Sequence, residues 1–270
     1  MDSNIIQKIN SLPPLDDTII MIQRISTDKN SSMRDLVKVV ERDPMLTANI
    51  LKSANSPLYG FSKEIKNVSN AISLFGMATI RGFALSSAIK DNIKIELRPY
   101  GVSNNSFLNI STMQNAIMFK WYSKVDRSML DILQPASFLM EVGKIIIAHE
   151  LIEQNRDKEF QERLKEEQDL EKLSSLEKEM VNFTNEEITA KIFEKWNLEN
   201  ELIESIRFSN TPNLADQHIE AYAKALHVVK NSANIFGILE EKQKENSLAL
   251  LEKYELDPLL FKKALEQLDI

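Results

Sequence analysis

The chain of 270 residues contains no cysteine, which excludes disulfides, thiolate metal sites, iron–sulfur clusters and thiol nucleophiles together. Such a chain suits a reducing cytoplasm, the expected location. Glycine is scarce, with six residues, and neither a glycine-rich phosphate cradle nor a Gly-x-Ser-x-Gly turn occurs. Long hydrophobic runs are missing: stretches such as Ile145-Ile146-Ile147-Ala148 are too short to span a bilayer. Met1-Asp2-Ser3-Asn4 lacks the basic segment and apolar core of a secretory leader, so a soluble chain with no membrane insertion is expected. Excess positive charge is lacking as well. The net charge of -7 opposes the counterion release that drives most binding to polyanions, and nucleic acid is not an expected partner.

What is present is helical periodicity. The hydrophobic content of 43% suffices for a sizeable core, and apolar residues recur at three- and four-residue spacing while strict alternation is nearly absent. An all-α, multi-helical fold follows. Ser32 and Asp35 form a capping-box pattern ahead of a helix running to about Arg42, and Asp43-Pro44 supplies an N-cap carboxylate and a first-turn proline for the next. That helix stops at Asn55-Ser56-Pro57. The apolar positions from Ser69 to Lys90 wrap more than one face around Gly76, which predicts two short, deeply buried helices.

The run from Pro99 to Ser106 is rich in turn formers and poor in core-type residues. It marks the division between an N-terminal helical subdomain, residues 1–100, and a C-terminal one, residues 101–270, packed against it. The second part reads as a helix from Ile110 to Ser123 and an apolar helix from Pro135 to Leu151. A charged helical arm from Arg156 to Glu179 packs along one stripe. A Thr184/Glu187 capping box opens the helix that Trp196-Asn197-Leu198 closes, and further helices lie near 199–208, 218–236 and 258–268.

Three stretches together resemble the N-terminal signature of the HDOD family. They are Leu12-Pro13-Pro14-Leu15, the run from Val40 to Thr47 containing Glu41-Arg42-Asp43-Pro44, and the run from Leu51 to Gly60 containing Ala54-Asn55-Ser56-Pro57-Leu58-Tyr59. Ala71-Ile72, Leu74-Phe75-Gly76 and Ile80-Arg81 extend the likeness. In the second half, Ala136 to Lys144 resembles the family helix with a Leu-Leu-His-Asp-Ile-Gly-Lys core, and Ile192 to Leu198 resembles the helix ending in Trp-Asn-Leu. The resemblance implies an HD-like C-terminal subdomain and a role in bacterial signalling, in pathways such as motility, biofilm or stress control.

HD phosphohydrolases gather His and Asp around metal ions that activate water. At the paired His-Asp position this chain has Met140 and Glu141; a thioether does not ligate the hard cations that suit hydrolysis and is no base. Residues 107–121 contain no histidine, and a later position where paired histidines occur in the family reads Phe208-Ser209-Asn210-Thr211-Pro212. No metal, no cofactor and no catalytic residue are therefore expected. His149, His218 and His227 are read as surface or satisfied core residues; His149-Glu150 with Glu153 lacks the second histidine of a zinc-protease helix.

The expected function is a non-catalytic regulatory module binding a protein partner or a small regulator. Met140, Glu141, Lys144, Ser209 and Asn210 are the candidate cleft, and Asp43, Pro44, Asn55, Ser56 and Tyr59 the candidate partner surface. Two alternatives stay open. One is a metal-dependent phosphohydrolase or phosphodiesterase with an unrecognised site. The other is a non-hydrolysing cyclic-dinucleotide sensor, with Lys144 and Arg207 as phosphate contacts.

Overall fold

The computed structural model describes residues 4–167 and 169–268; Met1, Asp2 and Ser3, read above for a leader, lie outside them. The first helices are α1 (Asn4–Ser11) and α2 (Asp17–Thr27), followed by α3 (Met33–Val40). At α3 the predicted capping box forms: the Ser32 hydroxyl accepts from the Asp35 N–H while the Asp35 carboxylate accepts from the Ser32 N–H at 3.1 Å. Asp43 caps α4 (Pro44–Ala54) by accepting from the N–H groups of Met45 and Leu46 at 2.9 and 3.0 Å. A 3-10 turn, Pro57–Tyr59, ends at Gly60 with φ +71°, a conformation that favours glycine.

Helices α5 (Val68–Phe75) and α6 (Met77–Asn92) meet at Gly76, φ +83°. The break is as expected, but α6 runs for 16 residues rather than being short. Sequence reading undervalued the next segment, since Pro99 and Tyr100 of the 3-10 turn Arg98–Tyr100 are buried. Ser103 then caps α7 (Asn104–Val125), which starts well before Ile110.

The expected apolar helix from Pro135 to Leu151 is two helices, α8 (Leu130–Leu139) and α9 (Gly143–Glu153), broken at residues 140–142. Pro135 lies inside α8 and has no N–H to give the Asp131 carbonyl; the buried Arg81 guanidinium donates to that carbonyl instead, at 2.6 Å. The charged arm is likewise two helices, α10 (Asp157–Glu166) and α11 (Leu170–Val181), because Asp169 caps a new start.

The Thr184/Glu187 capping box forms at α12 (Asn185–Lys195), followed by α13 (Asn200–Arg207) and α14 (Gln217–Ser232). Helix α14 ends before Phe236, because β1 (Ala233–Asn234) and β2 (Gly237–Ile238) form an antiparallel hairpin with Ala233 opposite Ile238. Helices α15 (Glu241–Lys253) and α16 (Pro258–Glu266) close the described chain. Sequence periodicity had not resolved α1, α2, α15 or the hairpin.

Helix α8 is central, touching α6, α7, α13 and α14. It can approach α6 because Gly82 has no side chain; a Cβ there would lie 3.1 Å from the Pro135 Cα. One apolar core runs from Ile5 to Leu268 across both halves, and α1 docks on α9 and α12 of the second half. Lys8 reaches Glu150 at 2.7 Å there. Among the described residues no single helix is long and apolar enough to cross a membrane; α5 and α6 pass such a test only as a pair bent by 118°, and α6 is mostly buried in the core.

Helix α9 meets α12 at Gly143, whose N–H donates to the Thr189 hydroxyl at 2.9 Å. A Cβ at Gly143 would overlap the Asn185 carbonyl oxygen, a backbone atom that cannot swing away. Gly143→Ala is therefore expected to destabilise the chain by about 1–3 kcal/mol through overpacking, read as a lowered urea midpoint with an unchanged denaturant slope. A midpoint equal to that of the parent chain would contradict this tight α9–α12 contact.

Candidate functional site

The break between α8 and α9 carries Met140 and Glu141 into the interior, where both are almost wholly buried. Met140 contributes its carbonyl, which accepts from Asn185 Nδ2 at 2.8 Å. Glu141 is ion-paired with Lys144, one turn along, which is itself 2% exposed. Lys144 also lies 4.0 Å from Glu177 of α11 and 5.9 Å from the centroid of the Tyr100 ring. Its backbone N–H donates to Asn185 Oδ1 at 3.0 Å, which fixes the start of α9.

Sequence reading missed the other half of this cluster. Lys230 of α14, with no exposed surface, is ion-paired with buried Glu186 of α12 and stands 4.0 Å from Glu141. Glu177, also fully buried, accepts from the Tyr100 hydroxyl at 2.9 Å and the Asn185 N–H at 2.8 Å. Gln114 of α7 donates to Glu141 Oε1 at 3.3 Å and to the Ala233 carbonyl at 2.8 Å. Signals existed for these residues. Lys230 directly follows Val228 and Val229 and lies four residues from Leu226, and Glu177 falls on the stripe of Leu173, Leu176 and Met180.

Three carboxyl and two amino groups thus share a buried interior, and their titration follows from burial and from their contacts with one another. Burial disfavours the Glu141 anion, but Lys144 and Lys230 outweigh it and hold the carboxyl below its ordinary value. Glu186 is opposed by burial and rescued by Lys230 and then Lys144, down to about 2. For Lys144, burial works against the cation, and Glu141 and Glu177 more than offset it, so the ammonium is held charged. Glu177, farther from a cation, is pushed up by burial to about 7.

This donor set does not fit the metal that an HD-type fold implies. Every carboxylate is committed to an ammonium, hydroxyl or N–H partner. Among the described residues no group of His, Cys, Asp and Glu is arranged to hold a metal ion. His149 is half-buried on α9 and His218 is exposed at the start of α14. Buried His227 bonds through Nδ1 to the Tyr254 hydroxyl at 2.6 Å.

The remaining candidates separate. Ser209 is buried, with a hydroxyl that has no partner among the described residues. Asn210 donates to Ser174 at 2.8 Å and lines an open groove with Lys178 and Thr184, whose lining does not include Glu141 or Lys144. Arg207 is ion-paired with Glu194 and Glu204. Asp43 and Pro44 start α4. The Asn55 side chain clamps Ile65, donating to its carbonyl at 2.9 Å and accepting its N–H at 2.8 Å. Tyr59 is buried, its hydroxyl donating to Asn115 at 2.6 Å and its ring edge-on to Phe75. Ser56 lines a cavity and makes no side-chain cap, and Asn55 lines a smaller pocket with it.

The model of the HDOD domain family matches residues 12–212 of this chain. The chain belongs to the HDOD domain family. Among solved structures, this HDOD chain is similar to a virulence factor from Campylobacter jejuni subsp. jejuni, with 27% identity over 93% of this chain and 89% of that one, at a TM-score of 0.56. A candidate phosphohydrolase from Shewanella amazonensis SB2B shares 20% identity over 98% and 94% of the two chains, at a TM-score of 0.73. A candidate signal transduction protein from Marinobacter aquaeolei VT8 shares 22% identity at a TM-score of 0.69; the match covers 99% of the HDOD chain and 59% of that longer protein. A curated relative, an uncharacterized protein of Treponema pallidum (strain Nichols), is 25% identical over 84 residues, 31% of this chain and 16% of its own length. These likenesses show an all-α, HD-like fold.

Two predictions follow from the cluster's electrostatics. Removing one member of a buried ion pair strands its partner's charge, so Lys230→Met is expected to cost about 3–5 kcal/mol of unfolding free energy. Adding Glu186→Leu should recover most of that loss, and a double variant no more stable than the single one would contradict the pairing.

The second prediction concerns pH. Glu177 rises from 4.5 to about 7 on folding, so between those values only the unfolded chain loses its proton and stability falls as pH rises. His227, pushed down from 6.5 to about 4 by burial and then by Lys230, contributes stability that is full above 6.5 and lost as pH falls through 4. The two slopes oppose each other. Glu177→Gln removes the first, and urea unfolding across the window should then show stability rising with pH more steeply than in the parent chain. Parallel profiles would show that Glu177 does not titrate there.

Proposed function

We propose that this HDOD chain is a non-catalytic regulatory module of a signalling pathway, acting by binding a protein partner or a small regulator. The observation that carries the proposal is the placing of two ammonium groups, Lys144 and Lys230, among the carboxylates at the position resembling the HD pair. A divalent cation entering there would have to displace charges already neutralised in place, at a desolvation cost of several kcal/mol per ion. Met140 brings no imidazole to the position, and a lone carboxylate gives neither the affinity nor the geometry of a hydrolytic centre.

Membership of the HDOD domain family supports this reading. The phosphohydrolase reading has less support because no carboxylate of the cluster is uncommitted. The sensor reading through Lys144 and Arg207 has less support because both are engaged in ion pairs. Motility, biofilm and stress control are the pathways the family suggests.

Elemental analysis of the purified chain is expected to find manganese, iron and zinc only in substoichiometric traces. Hydrolysis of bis(p-nitrophenyl) phosphate with each of these metals added should match the protein-free rate. A stoichiometric ion together with turnover that Glu141→Ala abolishes would overturn the proposal.

A further inference from the structure

A cavity of about 610 Å³ opens between α4, α6, α7 and the base of the β1–β2 hairpin at Ile238, beneath the Asn-Ser-Pro turn. Two lysines flank it, Lys52 of α4 and Lys90 of α6, and no acidic side chain lines it. In a chain of net charge -7 that is an unusual local balance. Among the described residues neither lysine is ion-paired, unlike the buried Lys144 and Lys230. The two lysines lie close enough to repel: Lys90 is held below its ordinary value, first by burial and then by Lys52, with only Asp91 opposing.

The wall between them is rich in uncommitted polar groups. The side chains of Ser53, Ser56, Ser86, Asn105 and Asn109 line the cavity and make no hydrogen bond to another described residue. Asn49 and Ser87 are different: they bond to each other at 2.8 Å and stiffen the floor between α4 and α6. Phe83, Leu58 and Met113 supply an apolar side. A cavity of this volume, with an apolar side facing a wall of polar and cationic groups, has the size of a small-ligand site.

We propose that this cavity binds a small organic phosphate of nucleotide size, its phosphate between Lys52 and Lys90 and its organic part against Phe83, Leu58 and Met113. A phosphate monoester carries close to two negative charges at neutral pH and several acceptor oxygens. It therefore answers both features of the wall, paired cations and idle donors, where a single carboxylate answers one. The site is separate from the buried cluster and goes beyond the regulatory reading by giving the small regulator a chemistry and a place. Metal and turnover measurements test that reading; they do not bear on this cavity.

Calorimetric titration at low salt with ADP, GDP and inorganic pyrophosphate tests the proposal, with phosphatidylglycerol vesicles as a separate arm. Saturable binding of a nucleotide, tighter than that of pyrophosphate, is expected. Lys52→Met and Lys90→Met should each weaken it about tenfold, the scale of one charge-assisted hydrogen bond. Both lysines reach solvent, so urea midpoints should stay near that of the parent chain and separate lost binding from lost folding. The proposal is overturned if neither nucleotide saturates, if pyrophosphate binds as tightly as both nucleotides, or if the Lys52→Met/Lys90→Met variant binds undiminished. Retention on the vesicles in the absence of nucleotide binding overturns it in favour of a lipid surface.

Discussion

The constraint on which the second half of this fold depends is the pairing of two buried carboxylates, Glu141 and Glu186, with two buried ammonium groups, Lys144 and Lys230, beside a third buried carboxyl group, Glu177, held by the Tyr100 hydroxyl and the Asn185 N–H. The five residues come from the α8–α9 break and from α9, α11, α12 and α14. Each charge is expensive to bury alone, so the helices that carry them are tied to one another's position. Asn185 completes the arrangement by binding the Met140 carbonyl and the Lys144 N–H through its side chain while its own N–H meets Glu177. The contact with Gly143 belongs to the same requirement, since α9 reaches Asn185 only where no Cβ intervenes.

Helix α7 links this interior to the cavity flanked by Lys52 and Lys90. Gln114 bridges Glu141 and the Ala233 carbonyl at the base of the hairpin. On the same helix, Asn105, Asn109 and Met113 line the cavity that Lys52 and Lys90 flank, and Ile238 of the hairpin closes its edge. The hairpin therefore has one strand held by the charge cluster and the other beside the cavity.

Local rules made much of the helical framework legible. The capping boxes at Ser32 and Thr184, the Asp43-Pro44 start and the Gly76 break are short-range events, and residues within a few positions determine them. The breaks between α8 and α9 and between α10 and α11 were harder to read, the first because apolar residues run on through it and the second because charged residues do. Pro135 was a weak sign, since its disruption of the ladder is compensated by Arg81, distant in sequence. At the candidate site, Glu141 and Lys144 were found through family resemblance. Their partners Glu177, Glu186 and Lys230 were not, because a charged residue on a helix reads as solvent-facing unless the opposite charge is known to lie behind the same face. Ser209 and Asn210 were placed beside Glu141 by analogy with paired histidines; in the structure Asn210 bonds Ser174 and lines a separate groove.

A buried ion-pair network is a poor source of stability compared with a well-packed apolar core, because desolvation consumes most of the Coulombic gain. What this one supplies is direction, as its short contacts fix which helix faces which. The cost of that arrangement is that its donors are spent: Lys144 and Lys230 have no charge left to offer a ligand. At the Lys52–Lys90 cavity the accounting is reversed, with cations lacking counterions and hydroxyl and amide groups lacking partners. Recognition of an anion requires unspent donors held in a fixed place, and in this molecule rigidity and unspent donors coincide along α4, α6 and α7 rather than at the position where a hydrolytic relative would hold its metal.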